Sequence, residues 1–168
     1  MITQQSALLS ARAATVSVEE SKENYQKAFD LIQDVPLEKM NENQRGLVAN
    51  NLAYMRVKTG GDTDVALENI DTAFTLLGPR VELLDTRATI NIEKGEFDRA
   101  IEDLKQATLF KVDSGVYYFH LALAYQGKGD RVAAATALQQ AEDLKFTGER
   151  IDSMDREKYL KLKRWLRR

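Results

Sequence analysis

Small and turn-forming residues recur along this chain at an interval of 34 positions. The matched pairs are Ala88 and Ala122, Gly95 and Gly129, Ala100 and Ala134, Leu104 and Leu138, and Ala107 and Ala141. A unit of this length accommodates two helices and a turn, and it cannot bury its own apolar face. Neighbouring units must therefore stack, and the interval predicts an all-α array of helical hairpins.

An earlier copy of the unit precedes these two. Ala53 and Gly60 lie 35 positions before their counterparts, whereas Ala66 and Ala73 lie 34 before theirs. One extra residue therefore falls between Gly60 and Ala66, most simply in the turn. A fourth, degenerate copy is indicated over residues 4–34.

The apolar periodicity and the turn signals place the helices. Glycine at the turns accepts the left-handed conformation that ends many helices, and small residues let paired helices approach closely. A short extra helical turn is predicted between Pro36 and Arg45. The predicted helices cover residues 4–14, 18–33, 43–59, 64–77, 81–94, 97–110, 114–128, 131–145 and 154–166.

These residues resemble the tetratricopeptide repeat (TPR). In one unit the matching residues are Leu121, Ala122, Tyr125, Gly129, Ala134, Leu138 and Ala141. The resemblance implies a right-handed α-α superhelix of about four TPR-like hairpins plus a C-terminal capping helix. The implied organisation is a single domain over 1–168, with a degenerate repeat at 4–34, repeats at 47–78, 81–112 and 115–146, and the capping helix at 153–168.

The unit at 81–112 departs from the family pattern at two positions. Arg87 and Asn91 stand where the family usually has leucine and tyrosine.

Sequence segments such as NNLAY, LLDTRA and YYFHLALAY are similar to the C-terminal arrays of larger bacterial TPR proteins.

The family resemblance implies a protein-binding scaffold, in which the first helix of each pair lines a concave groove. We expect a partner segment with a basic residue followed by large apolar ones, because the predicted groove is acidic in its middle and apolar toward its C-terminal end. The alternative is a structural module that self-assembles into homo-oligomers through the repeat ends. The groove positions implied by the family are Asn50, Tyr54, Lys58, Glu82, Asp85, Thr89, Glu93, Val116, Phe119, Leu123 and Gln126.

No catalytic, cofactor-binding or metal-binding residue is predicted. The chain has no cysteine, so thiolate catalysis and cysteine-based metal sites are excluded. The only histidine, His120, is expected to be packed or to line the groove. The carboxylate pairs Glu82 with Asp85 and Glu102 with Asp103 are expected to be solvated. The sequence therefore predicts a protein that is not an enzyme.

The net charge of −2 gives no overall attraction to nucleic acid, and no apolar run is long enough to span a membrane. We therefore expect no nucleic-acid partner and no membrane span. If the chain is complete, a cytoplasmic protein is expected; if it is part of a longer protein, the compartment stays open.

The last predicted helix matches no repeat. Tyr159, Leu162 and Leu166 form an apolar stripe beside several basic residues. One interpretation is a helix that covers the final hairpin, since terminal repeats need a cap. The other is a basic docking surface.

Overall fold

In the computed structural model, which describes residues 17–110, 114–147 and 151–168, the chain forms α-helices joined by short turns. The predicted helix at 4–14 lies outside the described residues. The predicted short turn is a 3-10 helix at Leu37–Lys39. The helices are α1 (Val18–Gln33), α2 (Glu42–Thr59), α3 (Thr63–Leu77), α4 (Val81–Lys94), α5 (Phe97–Leu109), α6 (Gly115–Gly127), α7 (Arg131–Asp143) and α8 (Ser153–Leu166).

The helix ends follow the signals in the sequence. Asn41 and Gln44 form a reciprocal capping box at the start of α2. Gly60 and Gly95 end α2 and α4 in the left-handed conformation, with φ of 78° and 84°. A residue with a side chain would be strained there. These caps separate α2 from α3 and α4 from α5 at the predicted turns.

Three hairpins, α2–α3, α4–α5 and α6–α7, stack in sequence order, and α1 packs against α2. Alanines allow the close approach that the repeat pattern predicts: Ala53, Ala66, Ala88 and Ala100 are fully buried. The side chains of Ile70 and Leu104 are also fully buried and fill the spaces between helices. The predicted all-α repeat fold is therefore confirmed.

The helix α8 contributes to the core of the last hairpin, as expected of a cap. Its Tyr159 and Leu162 belong to the apolar cluster that contains Phe119 and Leu138 of α6 and α7. It also extends further than a cap of one hairpin needs to, because its first turn reaches α1 and α2.

Candidate functional site: the groove face beneath the C-terminal helix

The helix α8 lies on the side of α2, α4 and α6 that carries the predicted groove positions, which we call the groove face. Near its start, Asp152 accepts hydrogen bonds from Tyr25 of α1 at 3.1 Å and from Lys58 of α2 at 3.0 Å. Further along, Lys158 forms an ion pair with Glu93 of α4. The chain's own last helix therefore occupies part of the groove face.

A buried charge cluster anchors the start of α8. The Lys58 ammonium contacts Asp152 at 3.0 Å and Asp155 at 2.7 Å, and its side chain is only 3% exposed. The rings of Tyr25 and Tyr54 lie within cation–π distance, at 5.8 and 5.4 Å. Burial of a single charge is costly, so Lys58 depends on these partners.

The pKa values of the cluster reflect this pairing. Burial lowers the pKa of Lys58, but the charges of Asp155 and Asp152 raise it by more, so the ammonium stays protonated. Burial raises the pKa of Asp155, but Lys58 and His120 lower it by more, so it stays ionised. Burial raises the pKa of both Tyr25 and Tyr54, which keeps both hydroxyls neutral. The cluster is therefore an ion-paired anchor between α2 and α8.

His120 lies beside this cluster and is 4% exposed. Its Nδ1 lies 2.6 Å from Oδ1 of Asp85, a groove position on α4. Burial lowers the pKa of His120, but the charge and hydrogen bond of Asp85 raise it by more, so the net shift is upward. His120 was expected either to be packed or to line the groove. It is packed, and it contacts Asp85.

Aromatic contacts hold the middle of α8. The ring of Phe119 lies 6.0 Å from that of Tyr159 and 5.0 Å from that of Phe146, measured between centroids. The Tyr159 hydroxyl and the Lys163 ammonium both donate to Glu142 of α7, at 2.7 and 2.8 Å. The hydrogen bond from Lys163 lowers the pKa of Glu142 despite its partial burial. This end of α8 combines apolar packing with polar contacts at its edge.

The predicted groove residues divide into three groups. Lys58, Glu93 and Phe119 contact α8 directly, and Leu123 belongs to the apolar cluster that includes Tyr159. Asp85 is committed to His120. Of the remaining positions, Glu82 is exposed and Thr89 is buried. The half-buried ones are Asn50, Tyr54, Val116 and Gln126.

The groove face is not completely filled. A cleft of about 270 Å³ remains beside α8, lined by Glu93, Leu123 and Gln126 of the groove positions and by Lys158 and Lys161 of α8. This cleft and the exposed Glu82 are accessible on the groove face while α8 is in place.

The sequence patterns missed the partners of Lys58. Asp152 is the N-cap of α8, where its Oδ1 accepts hydrogen bonds from the amides of Met154 and Asp155. Its second role, as an ion-pair partner of Lys58, joins residues 94 positions apart. No local pattern carries that information.

The expectation that the acidic pairs are solvated was wrong for two of the four residues. Asp85 pairs with His120. Asp103 is buried and accepts two hydrogen bonds from Arg87, at 2.9 and 2.7 Å. The Arg87 guanidinium also lies 4.2 Å from the centroid of Phe74, on the preceding hairpin. The departure from the family pattern at Arg87 is therefore matched by an acidic partner.

The described residues contain neither a candidate metal site nor a candidate membrane span. Within residues 17–110, 114–147 and 151–168, no three His, Cys, Asp or Glu side chains are grouped so that they could hold a metal ion. Over the same residues, none of the helices has the length and apolar character needed to cross a membrane.

No family model matches the sequence, and no curated protein matches it. Solved structures do match. The crystal structure of MamA, a helical repeat protein of the TPR type, superposes with a TM-score of 0.58 over 85% of this chain and 80% of that chain, at 18% identity. The fold is TPR-like. At this identity the likeness shows the fold alone.

Proposed function

We propose that this chain is a non-catalytic scaffold that binds a segment of a protein partner on its groove face. The observation that carries the proposal is the seating of α8. Three predicted groove residues, Lys58, Glu93 and Phe119, hold a helix there through an ion-paired anchor, a second ion pair and an aromatic contact. A surface that holds one helix in this way has the chemistry to bind another.

The expected partner chemistry agrees with the contacts of α8. A basic residue followed by large apolar ones was expected from the groove, and α8 presents Lys158 to Glu93, then Tyr159 and Leu162 to the apolar cluster. We infer that a partner segment uses the same positions.

We propose membership of the TPR family, and a relation to the C-terminal arrays of larger bacterial TPR proteins, on the repeat residues and the shared fold. Binding without catalysis accords with the charge cluster, because Lys58, Asp155 and His120 are all buried. Three further expectations stay predictions. They are that the chain needs no cofactor, that it binds no nucleic acid and that it is cytoplasmic.

Site-specific photo-crosslinking tests which face a partner uses. A photo-reactive residue is placed at Glu82, which is exposed on the groove face, and in a matched variant at Val132, which is 79% exposed on α7. We expect one partner adduct from native lysate at position 82 and none at position 132. The same adduct from position 132 alone would contradict the proposal.

The alternative, self-assembly through the repeat ends, makes a different prediction. The C-terminal end of the array is partly covered, because Trp165 of α8 packs 5.1 Å from the guanidinium of Arg131 at the start of α7. Static light scattering across a wide concentration range separates the two functions. A monomer throughout favours the scaffold, whereas a mass that rises with concentration favours assembly.

A further inference from the structure

We propose that the partner of the groove face is an amphipathic helix that imitates α8 and binds by displacing it. This inference rests on the proposed function and specifies the partner. The required pattern is that of α8: carboxylates at two positions three apart, a basic residue three further on, an aromatic residue next, and an aliphatic residue three later. In this chain these are Asp152, the N-cap of α8, and Asp155, Lys158, Tyr159 and Leu162 within the helix.

These positions share one side of the helix. Lys158, Tyr159 and Leu162 follow Asp155 by three, four and seven residues, and these intervals return to the same side of a helix with 3.6 residues per turn. Asp152 precedes Asp155 by three residues, at the N-cap. The exposed positions of α8, such as Arg156, Glu157 and Leu160, lie between them. The pattern therefore describes the contact surface and leaves the outward side of a partner helix unrestricted.

Lys58 requires the carboxylates. Any helix that covers Lys58 removes the ammonium from water, which is costly unless an anion replaces the hydration. Asp152 and Asp155 supply two such anions at 3.0 and 2.7 Å. A competing helix without carboxylates at these positions would bury Lys58 unpaired and would be rejected. This end of the groove face therefore selects by charge.

The other end selects for a basic residue and for apolar groups. Glu93 accepts Lys158, and both side chains are about one-third exposed, at 39% and 32%. Phe119, fully buried, offers its ring to Tyr159, and Leu162 is fully buried beside it. Aromatic and aliphatic side chains with a cation before them satisfy all three contacts.

Displacement is feasible because α8 is held by side-chain contacts that another helix can reproduce one for one. The hairpins, by contrast, pack closely through fully buried alanines such as Ala88, Ala100 and Ala122. A partner can bind only molecules in which α8 has left the groove face. The apparent affinity is therefore the intrinsic affinity multiplied by the fraction of molecules in that open state.

The test uses a labelled synthetic peptide of residues 151–168 as the probe and the full chain as the acceptor. In one acceptor, Tyr159→Ala and Leu162→Ala weaken the attached α8 and leave the groove face unchanged. We expect this double variant to bind the peptide at least tenfold more tightly than the wild-type chain does, as measured by fluorescence anisotropy. Equal binding, or none to the folded double variant, would overturn the proposal.

Charge exchange shows whether the peptide occupies the site of α8. A peptide with Lys158→Glu should bind the double variant about tenfold less tightly, and Glu93→Lys in that acceptor should restore binding. The matched control is Asp98→Lys, which places a second cation beside Lys128 in an exposed pair that includes no predicted groove position, and it should not change binding. A peptide with Asp152→Asn and Asp155→Asn should lose more than tenfold. No difference among these peptides would contradict the assigned pattern.

Should the double variant fail to fold, the wild-type chain provides the same test. Hydrogen exchange with saturating peptide should increase in the attached α8 and stay unchanged in α4 and α5. Unaltered exchange in α8 would overturn the proposal. A groove-face crosslink at position 82 together with no peptide binding would refute this inference and keep the proposed function, whereas crosslinks only at position 132 would refute the proposed function itself.

Discussion

The stacked hairpins and the contact of α8 with the groove face are built from different interactions. Between hairpins, alanines and aliphatic residues such as Ile70 and Leu104 are fully buried. Beneath the first turn of α8, the buried groups are an ammonium, two carboxylates and an imidazole. Apolar burial is non-directional, whereas ion pairs demand specific partners at short distance.

The difference teaches how each contact is specified. A hairpin can pack on any neighbour that offers a complementary apolar stripe, and repetition supplies one in every unit. The helix α8 has one place where Asp152 and Asp155 both meet a buried cation. Its position therefore depends on few residues, and single substitutions there should have larger and more local effects than substitutions between the hairpins.

The largest effect is expected for Lys58→Met. Removing one partner of a buried ion pair leaves uncompensated charge, which costs about 3–5 kcal/mol. The loss should be confined to the docking of α8, so that hydrogen exchange increases in α8 and not in α4 or α5. Adding Asp152→Asn and Asp155→Asn should recover much of the loss. An equal increase in every helix would remove the distinction between the two regions.

A change between the hairpins should act globally. Leu104→Ala removes a fully buried side chain and should lower the free energy of unfolding by about 2–5 kcal/mol. Leu109→Ala on the same helix is the control, because Leu109 is 77% exposed and the change should stay within about 0.5 kcal/mol. Urea denaturation measures both. Comparable losses for the two leucines would contradict the assigned core.

The Arg87–Asp103 pair tests whether an ion pair also fixes a specific contact within a repeat. Arg87→Leu restores the residue usual in the family but leaves the buried Asp103 without its donor. We expect a loss of about 1.5–3 kcal/mol, typical of hydrogen bonds to charged groups. A double-mutant cycle with Asp103→Leu should show that the second change recovers part of the loss. Simple additivity would mean that the two residues act independently.

The smallest effect is a pH dependence at His120, which faces Asp85 of α4, Asp155 of α8 and Lys58 of α2. Its pKa is raised in the folded chain, so the unfolded chain releases this proton at lower pH. The stabilisation is fully present below the unfolded pKa and is lost as pH rises through the folded value. Urea midpoints should therefore fall over that interval, and His120→Gln should reduce the slope. A slope unchanged by this substitution would assign the dependence to another group.

Much of the helical array was predictable from local signals. The boundaries of α1 and α4 match the predicted 18–33 and 81–94, and the other described helices differ by at most two residues at either end. The groove positions remain predictions of binding, although Lys58, Glu93 and Phe119 proved to hold α8. The partners of His120 and Arg87 could not be predicted, because they lie on other helices.

The sequence by itself determined the repeating unit, its turns and the apolar faces that stack. These features arise from interactions within about 34 residues, so periodicity and small-residue spacing describe them. Only the tertiary structure decided where α8 lies and which charges meet beneath it. An amphipathic stripe indicates that a helix packs against an apolar surface, but it does not indicate which surface. The pairing of Lys58 with Asp152 and Asp155 exists only once distant helices have come together.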